Sequence, residues 1–342
     1  MCTAIVFGDN NRYFGRNLDY EVSFGERVVI TPRRLELPFR YMPSMKSHAA
    51  FIGMAAVVDG YPLYYDATNE YGLSIAGLNF VGNCHFSNIA LDMHDNLCVF
   101  ELIPYVLGKC RSVSEAKTVF DRINLLGEPF SSKLPAAQLH WLISDREECC
   151  VLEITRCGVN VFCNPVGVLT NNPPFSFHLD NLNLYRSLSP DCAEVRFGYD
   201  VPYYPFSRGM GAFGLPGDWS STSRFVRAAF VRACATFDCN NDGVAESKPD
   251  GDAESHSAGD AESDGNVVQF FHILDSVAMV KGCVKVGDEY EYTMYSSCCD
   301  TEQGIYYFKD YDENSVRYAR LEAYDLDSDN LISLNFDDCE RL

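Results

Sequence analysis

The sequence predicts an α+β protein, and two observations carry that expectation. Predicted strands and helices come in groups instead of alternating strictly, which favours α+β layering over a doubly wound parallel sheet. Of the 342 residues, 47% are hydrophobic and 13% aromatic, which is ample for a sizeable core. No composition break divides the chain, so residues 1–342 read as a single domain.

The elements follow from local pattern. Thr3 to Phe7 is β-prone, Gly8-Asp9-Asn10-Asn11 turns the chain, and Arg12 to Leu18 returns as a second strand. Further strands are expected at Arg27–Pro32, Phe51–Val58, Leu63–Asp66 and Tyr71–Phe80. Val99–Leu107 and Val113–Ile123 carry apolar residues at helical spacing. Leu139–Ser144, Cys150–Thr155 and Val159–Cys163 read as a meander, and Val168-Leu169 ends a strand in the turn Asn171-Asn172-Pro173-Pro174. Helices follow at Asp180–Leu188, at Ser223–Thr236 with Ser223 as its cap, and at Val267–Val277. Glu289–Ser297 and Gly304–Phe308 should pair as strands.

One stretch stands apart. Residues 238–266 (DCNNDGVAESKPDGDAESHSAGDAESDGN) contain Gly-Asp-Ala-Glu-Ser twice, with no aromatic, Ile or Leu. Its acidic residues far outnumber its one lysine. Such a segment cannot bury enough apolar surface to order itself, so it is expected to be a disordered acidic insertion.

Charge and cysteine usage exclude several classes. A formal net charge of -21 argues against nucleic acid and anionic membranes as partners. No basic n-region precedes an apolar run near the start, and no apolar stretch is long enough to span a bilayer, so a soluble, cytoplasmic protein is expected. The fifteen cysteines form no Cys-x-x-Cys, and the seven histidines no His-Glu-x-x-His. Reduced thiols account for them better than a metal site, and no metal is expected. Gly209-Met210-Gly211-Ala212-Phe213-Gly214 fits a dinucleotide fingerprint, but no strand precedes it and Pro216-Gly217 follows at once. Asp325-Leu326-Asp327-Ser328-Asp329 lacks the glycine and closing glutamate of a calcium loop.

The chemistry concentrates in the first twenty residues, MCTAIVFGDNNRYFGRNLDY. If Met1 is removed, Cys2 carries a thiol and a free α-amine on one carbon. An α-amine titrates at roughly 7.7–8.0, low enough to accept a proton from the thiol. Arg16 favours thiolate, and Asp19 can hold the amine. A strict two-residue strand period places Arg16 and Asp19 on opposite faces, so a bulge or strand end near Asp19 is expected to bring both to Cys2.

Met1-Cys2-Thr3, with Gly15-Arg16-Asn17-Leu18-Asp19 following, resembles the choloylglycine hydrolase family of bile acid hydrolases and penicillin V acylases. Leu139-His140-Trp141, Gly214-Leu215-Pro216-Gly217-Asp218 and Tyr324-Asp325-Leu326-Asp327 extend the likeness over nearly the whole chain. The resemblance implies the four-layer αββα sandwich of N-terminal-nucleophile hydrolases. It implies oxyanion stabilisation by Asn171 (Leu-Thr-Asn-Asn-Pro) and Asn79 (Gly-Leu-Asn-Phe). It assigns Arg224 of Ser223-Arg224-Phe225, not Arg227, to the electrostatics around Cys2.

The implied reaction is cofactor-free hydrolysis of glycine- or taurine-conjugated bile salts, or related apolar acyl amides, through a thioester on Cys2. Asn79 favours bile salts, since many penicillin V acylases carry tyrosine in that context. Tyr20, Phe24 and Phe130 are expected to wall the acyl pocket, and Arg16 and Arg224 to offset the protein's negative field at the anionic end of the substrate. A homotetramer is what the family implies. The alternatives are penicillin V acylase activity, or a non-catalytic binding or structural protein that retains Met1.

Overall fold

A computed structural model describes residues 1–192, 198, 204, 206–236 and 258–342. Among these, two eight-stranded sheets dominate. The first runs from Val168–Leu169 through Cys2–Phe7, Tyr13–Tyr20, Glu289–Asp300, Ile305–Asp310 and Arg317–Arg320 to Glu340–Arg341, with Val284–Val286 paired to the long strand. The second runs from Gly158–Cys163 through Cys149–Thr155, Leu139–Ser144, Ser74–Asn79, Tyr61–Asn69, Phe51–Val58 and Glu26–Thr31 to Ile332–Leu334. The pairings within both sheets are antiparallel.

Side-chain alternation builds the layers. Successive residues of a strand point to opposite faces. In the second sheet Phe51, Ile75, Ile143 and Leu152 join one core with Leu102, Val106 and Phe120 of the helices Leu102–Lys109 and Val113–Phe120. Their neighbours Ile52, Ala76, Leu142 and Val151 join the other core, which includes Cys2, Val6 and Phe14 of the first sheet. That core also takes in Phe175, Phe225 and Phe270, from the helices Phe175–Leu182, Ser221–Cys234 and Ala258–Asp275. The order is helix, sheet, sheet, helix: a four-layer αββα sandwich. Each sheet is covered on both faces, which explains why all six residues of Cys2–Phe7 are buried.

The N-terminal hairpin is tightly seated. Its strands pair with Cys2 opposite Leu18 and Ala4 opposite Arg16. Gly15 must be glycine, because a Cβ there would lie 1.9 Å from the Ser297 carbonyl oxygen of the neighbouring strand. That strand carries a bulge between Thr293 and Tyr295, which pair with Asp19 and Leu18.

Several expected boundaries move. The helix expected at Ser223–Thr236 begins at Ser221, and Ser220, not Ser223, caps it by accepting from the Ser223 N–H. The helix expected at Asp180–Leu188 is Phe175–Leu182, entered directly after Pro174, and Asn183–Tyr185 continues as a 3₁₀ turn. Ile123 leaves the helical pattern to open a short parallel strand, Ile123–Leu126, paired with Asp95–Cys98. The helix expected at Val267 begins at Ala258, so the acidic insertion does not run unstructured to Asn266. Alanine and glutamate within 258–266 have good helix propensity, and tertiary packing from Val267 onward extends the helix backwards. The rest of the insertion, 238–257, lies outside the described residues.

Candidate active site

Alternation decides which group reaches which part of Cys2. Arg16 and Leu18 face the space between the sheets, where the Cys2 side chain also lies. Asn17 and Asp19 face the helical layer: the Asn17 side-chain amide donates to the Leu274 carbonyl, and Asp19 lies 3.8 Å from Arg224. The expected bulge exists, but it sits in the neighbouring strand and leaves Arg16 and Asp19 on opposite faces. Both still lie close to Cys2, which pairs across the hairpin with Leu18, the residue between them and next to Asp19.

On the thiol side, Arg16 is fully buried. Its Nη1 donates to the carbonyls of Tyr65 at 3.0 Å and Gly77 at 2.6 Å, while Nε and Nη2 have no partner. Burial opposes its charge, but Cys2, Tyr295, Asp66 and Asp19 outweigh that and raise its pKa. Beneath it lies the buried Asp66 carboxylate, which accepts from the hydroxyls of Tyr306 at 2.6 Å and Tyr295 at 2.7 Å. Burial pushes Asp66 upward, opposed by Arg16 and these hydroxyls.

On the backbone side, the Cys2 N–H donates to Asn171 Oδ1 at 2.8 Å. The same oxygen accepts from Arg224 Nη2 at 2.7 Å. Arg224 is fully buried, and burial lowers its pKa. Its Nη1 donates to the Cys2 carbonyl at 2.5 Å and to Thr3 Oγ1 at 2.6 Å, and its Nε to the Trp219 carbonyl at 3.0 Å. Arg227 instead donates to the carbonyls of Ser276 and Pro216, away from Cys2. Asp19 Oδ1 accepts from Thr293 Oγ1 at 2.5 Å, and its Oδ2 is buried without a hydrogen bond.

Asn171 also engages the backbone of Cys2. Its Oδ1 faces two donors, so the amide nitrogen turns away and donates to the Asn79 carbonyl at 2.9 Å. In this arrangement Asn171 holds the Cys2 nitrogen through Oδ1, while its Nδ2 gives one N–H to Asn79 and carries a second. Its own backbone is pinned by residues that local pattern did not single out. Ser221 Oγ accepts from the Asn171 N–H at 2.8 Å, and His178 Nε2 lies 2.9 Å from the Asn171 carbonyl. His140 Nε2 lies 2.9 Å from the Thr170 carbonyl. Burial depresses the His178 pKa to about 4, so the imidazole is neutral at neutral pH.

The Cys2 thiol opens onto a cavity of about 530 Å³ between the sheets. Tyr20, Phe24 and Phe130 line it, together with Asn79. Tyr20 and Phe24 pack with ring centroids 5.7 Å apart, and Phe130 meets Phe100 edge-on at 5.1 Å. Val58, Leu63, Ile103, Leu134 and Leu139 complete a mainly apolar wall. Those aliphatic residues gave no signal in sequence, because strand and loop apolar residues look alike whether they face a core or a cavity.

The amine group is one residue upstream of the nucleophile while Met1 is present. Met1 N donates to the Asp19 carbonyl at 2.8 Å, and the Asp19 N–H donates to the Met1 carbonyl at 3.0 Å. The Met1 ammonium also pairs with Glu291. Burial lowers its pKa, opposed chiefly by Cys2 and Asp19. Among the described residues no cluster of His, Cys, Asp and Glu could hold a metal. No helix of the described residues is long and apolar enough to cross a membrane.

Comparison with known proteins adds to this geometry. Residues 2–246 and 254–334 match the family model for linear amide C–N hydrolases of the choloylglycine hydrolase family. A bile salt hydrolase/transferase from Lactiplantibacillus plantarum is 46% identical over 334 residues, 97% of this chain and 96% of that protein. The solved structure of a mutant conjugated bile acid hydrolase from Clostridium perfringens superposes with a TM-score of 0.85 at 32% identity, covering 99% of this chain and 98% of that one. A penicillin V acylase structure from Agrobacterium tumefaciens shares the fold, with a TM-score of 0.71 at 19% identity over 98% of this chain and 91% of that one.

Proposed function

The chain belongs to the choloylglycine hydrolase family of linear amide C–N hydrolases, and from that premise we propose that it cleaves the amide bond of glycine- or taurine-conjugated bile salts. One observation carries the mechanism. Among the described residues, buried polar atoms without a hydrogen bond lie on both faces of the hairpin: Arg16 Nε and Nη2 on the thiol side, and on the helical side Asp19 Oδ2, which is 3.8 Å from Arg224. Unpaired buried polar groups are costly, of order 1–3 kcal/mol each, and their concentration here fits a site completed by processing and substrate.

Removal of Met1 turns the Cys2 nitrogen into an α-amine. Asn171 Oδ1 already accepts from that nitrogen, and Asp19 Oδ2 is free to do so. The amine takes the thiol proton, and the thiolate, favoured by Arg16, attacks the amide carbon. The Asn79 side chain, on the cavity wall, supplies a donor to the oxyanion. The protonated amine then gives its proton to the leaving nitrogen as the C–N bond breaks. Water hydrolyses the remaining thioester, releasing the acid and restoring the thiol.

The apolar cavity supports a rigid, apolar acyl group. Its burial contributes about 25 cal/mol per Å². Arg16, with two nitrogens unpaired, offsets the repulsion between a net charge of -21 and an anionic leaving group. A homotetramer in the cytoplasm belongs to the same reading and rests on the family resemblance.

The test is amine release from glycocholate, taurocholate and penicillin V measured side by side. A higher kcat/KM for the two bile salts is expected, and Asn79→Tyr should lower bile-salt turnover more than penicillin V turnover. Equal or greater efficiency on penicillin V overturns the assignment.

A further inference from the structure

Glu291 lies on the long strand of the first sheet, two residues before Thr293. Strand alternation puts the two side chains on one face, and Thr293 holds Asp19 there. Glu291 is only 3% exposed. A carboxylate so buried needs a partner, and among the described residues its one partner is the Met1 ammonium. When Met1 leaves, that partner leaves with it, and a new ammonium is created on Cys2, one residue along the same strand.

We propose that Glu291 is a positioning residue for the α-amine of mature Cys2, holding the ammonium form of the general base after Met1 is removed. This rests on the N-terminal-nucleophile reading above and extends it to a residue that reading did not need.

Charge balance supports the assignment. Arg16 and Arg224 are fully buried, and the amine adds a third positive charge. Asp19 and Asp66, also buried, supply two negative charges. Glu291 supplies the third, so the set is neutral when amine and thiol are both protonated. The other titratable groups around the amine are the Cys2 thiol, Tyr20 and Glu21 on the hairpin. On the edge strand beside Glu291, Lys285 pairs with Tyr290 and so lies on the opposite face, while Val284 sits across from Glu291. No positive side chain competes for the Glu291 carboxylate among the described residues. The two arginines favour loss of the amine proton, and Glu291 opposes them.

The sign of the effect is fixed. In the free enzyme the amine and thiol together hold one exchangeable proton in the active form. Removing a nearby negative charge disfavours every protonated form of the pair. In Glu291→Gln, both limbs of the pH profile of kcat/KM should therefore move to lower pH, by about one unit. Glu291→Asp should restore most of the wild-type profile. A purely structural role would lower the rate or the melting temperature without moving either limb.

The experiment measures kcat/KM for glycocholate from pH 4 to 9 in wild type, Glu291→Gln and Glu291→Asp, with the N-terminal mass of each protein determined first. Variants that begin at Cys2 and show an acid-shifted profile, recovered by aspartate, support the proposal. Unshifted limbs in a Glu291→Gln protein that begins at Cys2 overturn it. If Glu291→Gln does not fold, Glu291→Ala takes its place, with the same acid shift expected and unshifted limbs overturning the proposal. Full wild-type activity with Met1 retained would instead overturn the amine mechanism itself, so the two failures are distinguishable.

Discussion

Asn171 accepts a hydrogen bond from the Cys2 N–H at 2.8 Å, across 169 residues of sequence. The bond ties the edge strand Val168–Leu169 to the start of the chain, and Arg224 closes the triangle at 2.7 Å. The Asn171 Nδ2 gives one N–H to the Asn79 carbonyl and carries a second. Asn171→Ala should therefore lower kcat by about 10²-fold, by loosening the amine and removing an amide donor together. Steady-state kinetics on glycocholate check this, and a change confined to KM would contradict it.

Cys2→Ser and Cys2→Ala should both lack turnover while keeping the wild-type circular dichroism spectrum. A hydroxyl is far less acidic than a thiol, and a methyl is no nucleophile. Iodoacetamide labelling of Cys2 should inactivate in proportion to its extent, read by mass spectrometry. Activity in fully labelled enzyme would remove Cys2 from the mechanism.

Arg224 satisfies four acceptors at once: the carbonyls of Cys2 and Trp219, Thr3 Oγ1 and Asn171 Oδ1. Arg224→Met strands all four in a buried site and leaves Asp19 without its cation. A loss of about 3–5 kcal/mol is expected in urea unfolding, alongside loss of activity. Arg227→Met removes bonds to three carbonyls in a half-buried position and should cost less than half as much.

His178 gives stability a pH dependence. Its folded pKa of about 4 lies below the unfolded value near 6.5, so the unfolded state binds the proton first as pH falls. Stability from this group is present above pH 6.5 and lost progressively down to pH 4, by about 3 kcal/mol in total. His178→Asn should flatten that part of the stability–pH curve. An unchanged slope between pH 6.5 and 4 would show that other groups govern acid unfolding.

Residues 238–257 contain none of the groups around Cys2. Replacing them with a short Gly/Ser connection should leave kcat/KM within about twofold and the melting temperature nearly unchanged, because closure entropy grows slowly with loop length. A large loss of activity would give the acidic stretch a role in the site.

The sequence by itself determined the chemistry and most of the strands. Cys2 after Met1, with Arg16 and Asp19 in one short motif, names a nucleophile and its company, because those roles depend on residue type and on spacing along one hairpin. Phe51–Val58 and Leu139–Ser144 were legible to the residue, because apolar β-branched and aromatic runs bounded by turns are local signals. Only the tertiary structure decided how the groups divide around Cys2. Arg16 lies on the thiol's face and Asp19 on the opposite one, because the hairpin lies between a sheet and a helical layer and offers a face to each. It also decided the orientation of the Asn171 amide, which depends on two donors arriving from Cys2 and Arg224. Glu291 had no local signal at all: an acidic residue in a strand reads as solvated until a neighbouring chain end buries it. Hydrophobic period and turn chemistry act over a few residues. Hydrogen-bond direction and charge balance in a buried site are set by whichever groups the fold brings together, and these came from every part of the chain.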